Sequence, residues 1–130
     1  MDVVIDTSAV VATIVGEPKK DRIVHLTYGH TLIGPGSIPW EVGNAFSAMF
    51  KQGRLTLEET HEGLAIFQEI TIRYLRPDFI NVLTLSHKND IYAYDAYFLD
   101  CAIRHSAPLL TLDRELIKTA RDCNLTVWEV

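Results

Sequence analysis

The 130-residue chain has a length suited to one compact domain with a single core. Its 48% hydrophobic and 22% charged content is that of a globular protein and excludes the disordered and low-complexity classes. A formal net charge of -5 argues against a broad basic surface for gripping duplex nucleic acid, although a metal bound among clustered acids would offset part of that charge.

In chain order, the β-branched run Val3-Val4-Ile5 reads as a buried strand. Asp6-Thr7-Ser8 then supplies N-cap chemistry for a helix to about Ile14, ended by Gly16. Glu17-Pro18 opens a second helix carrying Ile23, Val24 and Leu26 and stopping near Gly29. Thr31-Leu32-Ile33 is a second strand, closed by Gly34-Pro35-Gly36. A helix follows from about Ser37 or Ile38 to Gln52, with Gly53 as its left-handed terminator. Thr56 and Glu59 match a capping box for a helix presenting Leu64, Ala65, Phe67 and Ile70.

Ile72 to Leu75 reads as strand, and Pro77-Asp78 starts another helix. Asn89-Asp90 breaks the chain before a helix from about Tyr94 to His105. Leu109-Leu110-Thr111-Leu112 is a strand, Asp113 caps a helix through Ala120, and Leu125 to Trp128 forms a last strand. Strands alternating with helices on short connections imply an α/β fold, with a central twisted parallel sheet flanked by helices on both faces. Neither a repeat nor a linker interrupts residues 1–130, so one domain is expected.

Open α/β sheets place their sites beyond the carboxyl ends of their strands. Asp6 and Asp113 both stand at such ends. Each is also a plausible helix N-cap, and the readings are compatible, because one carboxylate oxygen can cap while the other binds a cation. On the helix from Ile38, the apolar stripe is Ile38, Val42, Ala45, Phe46 and Met49, with Glu41 at its edge as a boundary carboxylate or a functional one. On the helix from Tyr94, Asp95 projects into an apolar face with Phe98, Leu99, Ala102 and Ile103, whereas Asp100 projects to the solvent side. A buried, unpaired Asp costs several kcal/mol unless a partner or metal compensates it, softened in a first helical turn by the helix dipole. A carboxylate-only set selects Mg²⁺ or Mn²⁺ over zinc, and such ions activate water for in-line attack on a phosphodiester.

The ordered stretches Val3-Val4-Ile5-Asp6-Thr7-Ser8-Ala9, Glu41-Val42-Gly43-Asn44-Ala45, Tyr94-Asp95-Ala96 through Ala102 and Pro108-Leu109-Leu110-Thr111-Leu112-Asp113 resemble the acidic motifs of PIN-domain nucleases. Their order, spacing and total length resemble a small VapC-type toxin over essentially the whole chain. The resemblance implies an endoribonuclease that needs Mg²⁺ or Mn²⁺, forms a homodimer and is silenced by a cognate antitoxin. By motif match, Asp6, Glu41, Asp95 and Asp113 take the metal-site roles. Ser8 and Thr111 would be hydroxyl helpers, with the bland alternative of satisfying local backbone, and Asn44 an orienting residue. Glu115, near Asp113, reads as an exposed helix carboxylate or a ligand through water.

The remaining motifs argue by exclusion. The five histidines form no H-E-x-x-H, no Ser lies in G-x-S-x-G, and Gly34-Pro35-Gly36-Ser37 lacks a P-loop lysine. Cys101 and Cys123 have no C-x-x-C spacing, which argues against a disulfide framework or zinc site and fits a reducing cytoplasm. No leader-like segment and no apolar run of membrane-spanning length is expected. Lys19, Lys20 and Arg22 form a small basic group that reads as solvated surface, and Lys51 with Arg54 are candidate phosphate contacts. Trp40 is expected in the core or in a dimer contact rather than stacked on a base. The alternatives are a catalytically silent PIN-like module that binds RNA or protein, and another metal-dependent phosphohydrolase.

Overall fold

The computed structural model describes residues 1–130. The elements are β1 (Asp2–Ile5), α1 (Thr7–Val15), α2 (Lys20–Thr27), β2 (Thr31–Pro35), α3 (Ile38–Lys51) and α4 (Leu57–Glu69), followed by β3 (Ile72–Leu75), α5 (Phe79–Asn89), α6 (Ala93–His105), β4 (Leu109–Leu110), α7 (Arg114–Asp122) and β5 (Val127–Trp128). All strand pairs are parallel, in the order β3-β2-β1-β4-β5. Central β1 buries Val3, Val4 and Ile5 together, as a parallel strand covered on both faces must. Helix α6 lies against β1, β2 and β4 and carries α5 on its outer side, while α1 packs against α2, α3 and α4.

Strand order reverses at β1: β2 and β3 extend to one side, β4 and β5 to the other. At such a switch point the connections leave in opposite directions and open a crevice at the strands' carboxyl ends. Asp6 and Thr111 follow the two strands that flank this crevice.

Several local expectations hold and several need correction. The capping box forms with both reciprocal bonds between Thr56 and Glu59, and Gly53 takes a positive φ of 72° just beyond α3. Helix α2 begins at Lys20 rather than at Glu17-Pro18. Gly34 and Pro35 do not close β2 but belong to it. Pairing with β1 ends at Ile33, so Pro35 extends the strand alongside β3 alone, where a missing N–H is tolerated.

The expected strand at Leu109–Leu112 stops at Leu110, because Thr111 and Leu112 turn their polar groups toward Asp6 and Ser8 instead of the ladder. Likewise β5 is confined to Val127–Trp128. On α4, Leu64 and Ala65 are exposed and the buried contact is made by Thr60 and Gly63. A Cβ on Gly63 would stand 2.8 Å from Phe46 Cζ and 3.2 Å from Ile14 Cγ2, so the glycine sets how closely α4 approaches α1 and α3.

The largest correction concerns Asp100. It is 1% exposed rather than solvated, paired with Arg104 Nε at 3.0 and 3.1 Å, and accepts from the Asp78 amide at 3.2 Å. Projecting a helix onto one buried stripe assumes one packed side. Helix α6 has two, the sheet and α5, so its second face is interior as well. Ile103, expected on the apolar face, is 43% exposed.

Candidate metal centre at the sheet switch point

Asp6 leaves β1 with extended backbone and caps α1, its Oδ1 accepting from the Ala9 amide at 3.1 Å. Ser8 Oγ donates to the same oxygen at 2.6 Å, and Thr111 Oγ1 donates to Oδ2 at 2.5 Å. Both hydroxyls are themselves anchored, Ser8 by the Leu112 amide at 3.0 Å and Thr111 by the Asp113 amide at 3.0 Å. The loop after β4 is thereby stitched to the loop after β1, and Asp6 has one orientation. Three donors favour its charged form, yet burial dominates and pushes its pKa up to about 6, with Asp113 adding to the rise.

Glu41 stands in the first turn of α3, half-buried, with Oε2 accepting from Ser37 Oγ at 2.7 Å. Its pKa is raised, chiefly by burial; Ser37 opposes the rise, while the charges of Asp6 and Asp95 add to it. Thr7 Oγ1, buried and without a hydrogen-bond partner, lies near enough to oppose the rise too. Asp95, in the first turn of α6, is half-buried rather than central to the buried face and makes no hydrogen bond within the chain. Its pKa is raised by burial and then by Asp113 and Glu115. Asp113 is exposed and caps α7, its Oδ1 accepting from the amides of Glu115 at 2.9 Å and Leu116 at 3.3 Å.

The four acids therefore come from four segments and feel one another's charge: Asp6 with Asp113, Glu41 with Asp6 and Asp95, Asp95 with Asp113. None has a basic partner, since the ion pairs of the molecule are Arg73–Asp2, Arg104–Asp100 and Arg121–Glu129. As placed, no three acidic side chains are close enough to hold one ion directly. The donor set nevertheless fits a hard divalent cation that keeps most of its waters and takes one or two carboxylates, and the orphaned Thr7 hydroxyl would gain a water from such a shell.

Of the supporting residues, Ser8 and Thr111 spend their hydroxyl protons on Asp6 and act by holding it. Asn44 is exposed and its side chain is hydrogen-bonded to none of the acids. Glu115 is exposed and shares a cavity of about 300 Å³ with Asp95. Trp40 is 78% exposed, which rules out the core. Sequence reading missed Thr7 and Ser37. The signal for Ser37 was available in its position four residues before Glu41, where helical geometry stacks the two side chains.

A family model for the PIN domain matches residues 3–122. The chain belongs to the PIN domain family. Members of this family are in the main nucleases, and Asp6 and Asp113 of this PIN domain stand beyond the carboxyl ends of β1 and β4. No match is found among curated protein sequences. Its fold is similar to that in the crystal structure of PAE2754 from Pyrobaculum aerophilum, with a TM-score of 0.71 at 21% identity over 92% of this chain and 87% of that one. It is similar too to VapBC2 from Rickettsia felis bound to a DNA fragment from their promoter, with a TM-score of 0.71 at 20% identity over 98% of each chain. FitAcB from Neisseria gonorrhoeae shares the fold at a TM-score of 0.55 and 18% identity, over 99% of this chain and 97% of that one. No helix of this PIN domain is long and apolar enough to cross a membrane.

Proposed function

We propose that this PIN domain is a divalent-metal-dependent endoribonuclease, the VapC-type toxin of a toxin–antitoxin pair, hydrolysing phosphodiester bonds of tRNA or rRNA. The observation that carries the reading is the set Asp6, Glu41, Asp95 and Asp113, gathered into one electrostatic field at the sheet switch point with no basic partner. Burial, and behind it the charges of neighbouring acids, raise the pKa values of Asp6, Glu41 and Asp95, and a cation would relieve such a site. Bound there, Mg²⁺ or Mn²⁺ would supply the Lewis acidity that lowers the pKa of a water and neutralises charge on the phosphate.

The chain's own residues do the rest. Asp6, locked by Ser8 and Thr111, would give the fixed ligand oxygens, and Asp95 and Asp113 would hold the ion directly or through its waters. Glu41, steadied by Ser37, serves as a further ligand or positions and deprotonates the attacking water. The likeness to VapBC2 and FitAcB supports an antitoxin partner. The exposed apolar residues Phe79, Ile80 and Leu83 on α5 support self-association, and Val24 on α2 with Leu64 and Ile66 on α4 offer a second apolar surface for a partner.

Cleavage of end-labelled tRNA and rRNA with Mg²⁺ or Mn²⁺ tests this reading, with wild type, Asp6→Asn and Asp95→Asn purified separately. Discrete, EDTA-sensitive cuts by wild type, reduced at least about a hundredfold in both variants, are expected. Equal cutting by all three proteins would sink the site assignment. RNA binding without any cutting would favour the silent binding module, which the wide spacing of the acids also permits.

A further inference from the structure

An acidic catalytic centre on an acidic chain repels the polyanion it is proposed to cut, so something nearby must draw the strand in. A cavity of about 490 Å³ adjoins the acid site and is walled by Lys19 from the α1–α2 connection and by Arg114, Lys118 and Arg121 from α7. Positions 114, 118 and 121 follow helical spacing, so the three α7 cations share one face. Four of the chain's 12 Lys and Arg thus meet in one cavity, against Asp122 and Glu129. Only Arg121 is ion-paired, with Glu129, while Lys19, Arg114 and Lys118 are exposed and pair with no carboxylate.

Two connections tie this cavity to the acids. Thr111 lines it, and the Thr111 hydroxyl is the one that holds Asp6 Oδ2. Lys118 also lines the neighbouring cavity that contains Asp95 and Glu115. The cationic cavity and the acidic crevice are therefore neighbouring stretches of one surface, with Lys118 at their junction. Converging unpaired cations carry a repulsion that a bound anion relieves.

We propose that this cavity seats a backbone phosphate of the nucleic acid strand, adjacent to the phosphate being cut, with Lys19, Arg114 and Lys118 as its contacts. The proposal rests on the nuclease reading and adds where the strand runs: from the acids across Thr111 and Lys118 toward the α1–α2 connection. It also supplies an attraction that the net charge of -5 by itself would not. Phosphate contacts of this kind position a strand without reading its bases, so the cavity contributes affinity rather than sequence choice.

The test measures binding of a fluorescein-labelled, mixed-sequence single-stranded RNA by anisotropy, in an Asp95→Asn background that binds without turnover. The parent is compared with Lys19→Gln/Lys118→Gln, and with Arg73→Gln on β3, paired to Asp2 at the opposite end of the sheet, as a distant control. At low salt the double variant should bind about tenfold more weakly, and its log Kd against log salt slope should fall by about 0.7 for each lost phosphate contact. Arg73→Gln should match the parent. Affinity and slope unchanged in the double variant would overturn the phosphate seat while leaving the nuclease reading intact. Equal loss in Arg73→Gln would also overturn it, since the effect would then be net charge alone. Absence of both RNA binding and cleavage in the wild type would overturn both readings together.

Discussion

Asp95 and Asp100 stand on one helix, and α6 treats them in opposite ways. Asp100, midway along the helix, is enclosed between the sheet and α5, where Arg104 and the Asp78 amide compensate its charge. Asp95, in the first turn, faces the crevice with no hydrogen bond and no ion pair, and Asp113 and Glu115 add to the rise that burial gives its pKa. A paired carboxylate in the interior ties elements together, here α6 to the start of α5. An unpaired carboxylate at the rim of a crevice stores repulsion that a cation releases. Burial alone does not separate the two; the presence of a compensating partner does.

The widest gap between the two should appear in stability. Asp100→Ala strands the Arg104 guanidinium and the Asp78 amide, and is expected to lose about 3 kcal/mol, the low end for breaking a buried pair because Arg104 is partly solvated. Asp95→Ala should remain within about 0.5 kcal/mol of wild type, or gain, as repulsion from Asp113 is removed. Urea denaturation of both variants measures this, and equal losses would break the contrast.

The next effect sharpens the acid side of the comparison. Asp6 titrates at about 6 in the folded protein and at the ordinary aspartate value of 3.8 once unfolded, so between those values the folded state holds the extra proton. The buried charge therefore penalises folding in full above about pH 6, and the penalty fades as pH falls toward 3.8. Raised values at Glu41 and Asp95 act in the same direction. In EDTA, the wild type should thus gain stability on acidification from neutral pH, with a flatter profile in Asp6→Asn. At neutral pH, Mn²⁺ at a hundredfold excess over its Kd should stabilise the wild type by about 2.7 kcal/mol and Asp6→Asn far less. Thermal melts at several pH values, with and without Mn²⁺, would disprove this account if the two proteins respond alike.

The smallest effect concerns an ion pair in the open. Arg73 and Asp2 meet at 2.8 Å on exposed side chains, so Arg73→Ala should change stability by less than about 1 kcal/mol, and less still at high salt. A loss in urea approaching that of Asp100→Ala would show that enclosure is not what separates the two pairs.

Much of this architecture was legible in the chain because it is written in local chemistry. The β-branched run of β1, the caps at Asp6, Asp78 and Asp113 and the Thr56–Glu59 box all act within a few residues, so spacing reveals them. That Asp6 and Asp113 stand beyond strand ends, and Glu41 and Asp95 in helix first turns, was legible for a related reason, since strand and helix signals fix where a residue falls along its element; the metal role given to them is the proposal above. The tertiary structure alone decided the rest. It turned the second face of α6 inward and buried Asp100, used Gly63 rather than Leu64 as the contact of α4, and ended β4 at Leu110 so that Thr111 could hold Asp6. It also gathered Lys19 with Arg114, Lys118 and Arg121 into one cavity. Local propensity senses neighbours along the chain, whereas these four outcomes depend on which segments the parallel sheet brings together from far apart in sequence.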